Sequence, residues 1–397
     1  MYQLCSNGRR LAAHGQRAPG RRISTHVLGV TVLSCFILIL LAFSSGAAAE
    51  KKKREQGADV QAPVFYPDLP ATPRIQYLAT YNGESDVKPK MGRFRRFALG
   101  ADEDSLETIN KPYGVAFRDG DLFVCDIRGS YVMILGIRDK TAGRMGDKSP
   151  GRLSMPINMI IDEDGTRFVA DSGLRRVVVF DKNNNYLRAF GDPEALRPVD
   201  VAVYGDLLYV CDRGAGTVLV LDKFTGEELR RVAREGSGEG ELYMPTNLAL
   251  DESGNLYISD TGNARVLLFD AQGNYLRQIG ARGRAMGLLA RPKGIAVDRQ
   301  GRLYVVDAAF ENVQVFDTDG RLLLFFGTPG NHPGGMNLPT KVVIDYDNVD
   351  LFRDRVAPGY EVEYLLVVTS QYGLNKVNVY GSLKVEEDTS KTTGEEE

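Results

Sequence analysis

Residues 244–280 (MPTNLALDESGNLYISDTGNARVLLFDAQGNYLRQIG) hold four short apolar runs, at 247–250, 256–259, 266–269 and 275–279. Turn-forming clusters separate them: Asp251 to Gly254, Asp260 to Asn263, and Asp270 to Gly273. Runs of this length, rich in Val, Ile, Leu and Tyr and bounded by Gly, Asn and Asp, predict strands joined by hairpins. Four antiparallel strands in about forty residues make one blade of a propeller.

The unit recurs. Its opening proline appears as Pro112, Pro156, Pro198, Pro245, Pro292 and Pro339, at spacings of 44, 42, 47, 47 and 47. The acid closing its second strand appears as Asp126, Asp171, Asp212, Asp260 and Asp307, with Ser370 in the sixth copy. A unit that cannot bury both its faces must stack on its neighbours, and six such copies imply a ring. The chain is therefore expected to be an all-β, six-bladed propeller of four-stranded antiparallel blades. Consecutive apolar residues in the first strands, such as Val201-Ala-Val203 and Ile295-Ala-Val297, predict burial on both sheet faces. Ala116, Ala202, Ala249 and Ala296 recur where blades converge on the axis.

The two ends of the repeat do not match. The last copy ends near Tyr380 with no fourth strand behind it. Residues 74–81 (RIQYLATY) read as a fourth strand but precede the first proline. The N-terminal strand is expected to complete the sixth blade and so remove an open edge. The expected organisation is an export segment over 1–49, a proline-containing linker over 50–72, the propeller over 73–381, and an acidic disordered tail over 382–397.

The pattern Pro-x-x-apolar-Ala-apolar-Asp, then Gly-x-Leu-Tyr-Val-x-Asp, then Arg-Val-x-Val-Phe-Asp resembles the NHL repeat family of six-bladed propellers. The stretches 310–314 (FENVQ), 320–327 (GRLLLFFG) and 333–339 resemble a bacterial exported NHL subfamily. Its members are often encoded beside multihaem c-type cytochromes. That resemblance implies protein partners of the cytochrome kind. Nothing in this chain has haem-attachment spacing.

Residues 1–49 carry five Arg and no acid, and residues 27–43 form an apolar run of seventeen before Ala47-Ala-Ala49. This is the layout of an export signal, and the run also approaches the length of a membrane anchor. Both a periplasmic or secreted chain and one anchored through 27–43 remain open. Beyond Ala49 there are 44 basic residues against 52 acidic ones, a net of −8. That balance opposes nucleic-acid binding, which needs a positive face. Cys125 and Cys211 stand at equivalent positions two blades apart, too far for a disulfide, and read as buried thiols.

Candidate chemistry is sparse. The residues two after each proline, Gly114, Asn158, Asp200, Asn247, Gly294 and Lys341, are expected to ring one mouth of the channel. Asn158, Asp200 and Asn247 offer oxygen ligands of the kind that calcium takes. A hydrated mouth with an Asp200–Lys341 pair is the plainer alternative. Gluconolactonase-like propellers hold a metal through Glu, Asn and Asp one residue after the proline position. Here that register reads Tyr113, Ile157, Val199, Thr246, Lys293 and Thr340, so the set is absent. The amidating-lyase propellers that share NHL repeats use histidine-bound zinc. Past residue 49 this chain has His332 alone. A Ser-His-Asp relay meets the same shortage.

The repeated second-strand Asp is expected to cap turn amides or to pair with a third-strand Arg, as Asp171 with Arg176 and Asp260 with Arg265. The sixth copy carries a charged insertion, 347–364, between its first two strands. Long loops on rigid scaffolds often carry function. Asp350, Phe352, Arg353, Arg355 and Tyr360 are its candidate partner contacts. The resulting expectation is a protein-binding or scaffold module without catalysis. A lyase or hydrolase with a metal or ligand site near Asp200 is the alternative.

Overall fold

The computed structural model describes residues 62–88 and 106–384. Each proline-led repeat folds into a four-stranded antiparallel sheet. The fourth repeat comprises Pro245–Leu250, Leu256–Asp260, Arg265–Phe269 and Tyr275–Ile279. The other blades begin with Pro112–Arg118, Pro156–Ile161, Pro198–Tyr204, Pro292–Val297 and Pro339–Asp345. Each first strand packs on that of the next blade, and the sixth packs on the first, so the ring closes. Core residues lie between blades. Tyr209, Val218 and Val220 of the third blade, for example, meet Leu248, Ile258 and Phe269 of the fourth.

Closure uses the two ends of the described fold. Ile75–Tyr81 pairs antiparallel with Val377–Leu383, from Ile75 opposite Ser382 to Tyr81 opposite Val377. The sixth sheet thus gains its missing fourth strand, as expected from the mismatched ends.

Two boundaries differ from expectation. Residues 63–72 are not a free linker. Phe65–Tyr66 adds a fifth strand to the sixth blade. Both side chains are buried, and the Tyr66 hydroxyl donates to the Gly334 carbonyl at 3.2 Å. The reason is apolar burial: the Tyr66 ring lies 6.3 Å from Phe326 and 6.1 Å from Tyr380, covering a seam between the fifth and sixth blades. At the other end the last strand runs to Leu383, past the expected limit of 381. The export segment, residues 50–61 of the linker and 385–397 of the tail lie outside the described residues. Among the described residues, no helix is long and apolar enough to cross a membrane.

The second-strand Asp caps the turn that follows it and also ties in the segment that leads into the blade's first strand. Asp126 accepts backbone N–H groups from Asn110, Lys111, Arg128 and Gly129. Asp171 does the same with Ser154, Met155, Gly173 and Leu174. Asp260 also takes Arg265 at 3.1 Å. The expected Asp171–Arg176 pair is not made. Arg176 donates to the Arg152 carbonyl instead, and four amides already fill Asp171. Cys125 and Cys211 are buried free thiols.

Candidate functional site

The four polar residues expected at the channel mouth come together, but inside the channel. Asn158, Asp200 and Asn247 are fully buried, and Lys341 is 6 % exposed. A register shift follows the opening proline in every blade, as between Pro198 and Asp200. Such bulges re-aim a side chain, and here they accompany an inward turn. Asp200 belongs to the third blade and Lys341 to the sixth, so they face each other across a six-membered ring. Their ion pair, 2.8 Å long, spans the axis.

Asp200 is fully engaged. Its Oδ2 accepts from Lys341 Nζ, from Asn247 Nδ2 at 3.1 Å and from the Leu248 N–H at 2.9 Å. Its Oδ1 accepts from the Val201 N–H at 2.9 Å. Asn158 Nδ2 donates to the Val199 carbonyl at 3.3 Å. The oxygens of Asn158 and Asn247 are buried without a protein partner among the described residues. Hard cations take 6–8 oxygen ligands and favour negative sites. One carboxylate held by an ammonium does not fit calcium, so the geometry supports the paired alternative. Glycine is required beside this plug: a Cβ on Gly114 would lie 2.2 Å from Asn158 Oδ1.

The plug divides the channel. On one side is a cavity of 390 Å³ lined by the expected alanines and by Val115, Met159, Leu248 and Ile295. On the other side Tyr113 packs with Ile157 and Val199 as a roof. Lys293 Nζ donates to the Tyr113 hydroxyl at 3.2 Å and lies 5.0 Å from its ring centre. Burial, then the nearby Arg291, Arg213 and Lys111 charges, push Lys293 down to about 8. Burial, then Asp200, raises Tyr113 above its ordinary range. Reading this register only for the missing metal set overlooks the pair. The signal was a lysine and a tyrosine in a ring of otherwise uncharged residues.

The sixth-blade insertion is built into the fold. Phe352 is fully buried and sits edge-on to Tyr81 at 6.4 Å and Phe117 at 6.3 Å. It fills the seam between the closing blade and the first, so it is core and not a partner contact. Asp350 pairs with Arg138 of the first blade at 3.3 Å, and Tyr360 lies 5.0 Å from Phe65. Gln76 clamps the loop, donating to the Arg355 carbonyl and accepting from the Ala357 N–H. The Arg353 and Arg355 side chains remain exposed.

A second cluster escaped the repeat logic. Asp298, Arg302 and Tyr304 of the fifth blade meet Tyr364 of the sixth. Arg302 binds Asp298 at 2.5 Å, and the two phenols lie 2.6 Å apart. These residues knit the fifth blade to the closing blade. His332 is exposed in a loop, with Nε2 3.0 Å from Thr328 Oγ1. Among the described residues, no group of three His, Cys, Asp or Glu side chains could hold a metal ion.

A protein-family model described as a 6-bladed beta-propeller (DUF5128) matches residues 253–324. A solved protein from Bacteroides thetaiotaomicron is 16% identical over 77% of this chain and 75% of its own, with a TM-score of 0.56. A gluconolactonase from Xanthomonas campestris is 18% identical over 78% of this chain and 98% of its own, at a TM-score of 0.50. A virginiamycin B lyase from Staphylococcus aureus is 14% identical over 68% and 80%, at 0.48. At such identities the likeness is one of fold alone.

Proposed function

We propose that this chain is a non-enzymatic binding and scaffold propeller of the NHL-repeat kind. It works outside the cytoplasm, and its partners are proteins of an envelope or respiratory assembly, multihaem cytochromes among them. The reading is supported chiefly by the state of Asp200. Among the described residues it is the one carboxylate at the centre of the channel, and it is occupied by Lys341, Asn247 and two backbone N–H groups. A carboxylate so engaged is poorly placed to bind a catalytic metal or to take a proton from a substrate. What remains is a rigid disc whose loops face outward on two sides, a form suited to docking.

The test is a pull-down from native membranes with the full chain. Recovery of a c-type cytochrome, detected by haem stain, is the expected result. A wild-type chain that recovers none sinks the cytochrome assembly. The competing enzyme reading has its own assay. Micromolar calcium or zinc that raises the melting temperature, with the rise abolished by Asp200→Ala, would favour a metal site over the scaffold.

A further inference from the structure

Three registers flank the channel end at which the first strands begin. They are the residue before the opening proline, the residue after it, and the residue after the second-strand acid. Backbone bonds tie the first and third together, as the Arg213 N–H to the Arg197 carbonyl at 3.1 Å and the Ala308 N–H to the Arg291 carbonyl at 3.0 Å. Over six blades these eighteen positions include Lys111, Arg197, Arg213, Arg291 and Lys293, and no acid. The second-strand aspartates beside them are held by backbone amides, including those of Lys111, Arg197 and Arg291. The opposite end is richer in exposed acid. Every first-to-second-strand connection carries an aspartate: Asp119, Asp162, Asp206, Asp251, Asp298 and Asp347. The chain's overall negative charge therefore hides a local cluster of cations around Lys293, on which Arg291, Arg213 and Lys111 act.

The basic end has depth as well as charge. Arg213 and Arg291 are exposed at the rim, while Lys293 is half-buried below them against Tyr113. None of the five cations forms an ion pair among the described residues. The plug beneath adds no free anion, since Lys341 already answers Asp200. Lys293 donates to the Tyr113 oxygen, which leaves the phenol O–H as a donor. An oxyanion entering from this end would meet an ammonium and a phenol at the floor and guanidinium groups at the rim.

The geometry points to a carboxylate receptor at this mouth, in which an acidic segment of a partner protein inserts a Glu or Asp side chain between Arg213 and Arg291 to reach Lys293 and Tyr113. It rests on the binding-module reading above and names the partner's chemistry. Recess favours a side chain over a bilayer surface, because a flat headgroup layer meets the rim first. Nucleic acid would need a run of aromatic platforms for its bases, and among the described residues Tyr372, 5.3 Å from Lys111, is the exposed aromatic stacked on one of these cations. Crowded cations with no ion-pair partner are a standing electrostatic cost that a bound carboxylate relieves.

The probe is a fluorescent hexaglutamate peptide, titrated into the full chain at low salt. Lys293→Met keeps the length of the side chain and removes its charge. The double variant Arg213→Ser/Arg291→Ser changes only exposed rim positions, so it folds even if the first does not. Each is expected to weaken hexaglutamate binding about ten- to hundredfold, the worth of charge-assisted hydrogen bonds. Wild-type binding should weaken further between ~20 mM and ~150 mM salt. Hexaglutamate should also protect Lys293 from amine acylation, read by mass spectrometry, while hexalysine should not. Equal affinity in wild type and both variants overturns the site. So does protection by inorganic phosphate in place of hexaglutamate, or sedimentation with anionic vesicles that Lys293→Met abolishes. A Lys293→Met chain that still recovers the wild-type partner from membranes overturns this mouth and leaves the scaffold reading standing.

Discussion

The axial ion pair makes the sharpest test of the architecture. Lys341→Met would leave Asp200 charged and fully buried, with only the Asn247 amide and two backbone N–H groups to hold it. Breaking one side of a buried pair costs about 3–5 kcal/mol. Asp200→Asn strands the Lys341 ammonium instead and turns an amide donor or a weaker acceptor toward three donors, so its cost falls in the same range. The double variant Asp200→Asn/Lys341→Met removes both charges. Replacing a whole buried pair is neutral or stabilising by about 1–4 kcal/mol. The cycle therefore predicts a coupling energy of several kcal/mol, well outside the additive behaviour of separate sites. Urea unfolding measures it, provided the slope stays constant while the midpoint moves. Single variants that each cost below about 1 kcal/mol would match an exposed pair. The channel would then be open to water along its length, and the division into two compartments would be wrong.

Three further outcomes follow from the same geometry. Phe352→Ala should cost about 3–5 kcal/mol as a core truncation, while Arg353→Ala should stay within about 0.5 kcal/mol; equal effects on chemical denaturation would mean the insertion is not packed into the seam. Removing residues 63–72 should lower the melting temperature by exposing the aromatic seam, and extending the deletion through Tyr81 should also cause aggregation from the unpaired 377–383 edge; identical light scattering from both truncations would refute strand closure. Lys293 titrates at about 8 in the fold, below its ordinary 10.5, so the folded protein releases this proton first as pH rises. Lys293→Met should therefore be more stable than wild type below about pH 8 and lose that advantage between about 8 and 10.5. A stability difference that does not change over that window would place Lys293 in water.

The sequence alone determined the blade count, the strand order within each blade and the closing role of residues 74–81. These follow from local period, turn residues and the return of one proline and one aspartate, all of which act over a few residues. The capping role of Asp126 and Asp171 was legible where the amides belong to the turn that follows, at Arg128, Gly129, Gly173 and Leu174; Asn110, Lys111, Ser154 and Met155 precede the first strand and are brought in by the hairpin. Tertiary structure decided everything that depends on which side chains meet across the ring. The Asp200–Lys341 pair was one of two readings of its register; the residues are 141 positions apart in the chain, and only closure brings them to 2.8 Å and decides between the two. The insertion looked like a free charged loop because nothing local marks Phe352 as the residue that fills the seam between the last blade and the first. Phe65 and Tyr66 were hidden for the same reason, as two aromatics in a proline-rich stretch whose partners lie at the far end of the chain. The cations that cluster around Lys293 were written in the sequence, but net charge averages over them. Only the ring sorts one register of residues to one end and another to the other, because every blade runs its first strand in the same direction along the axis.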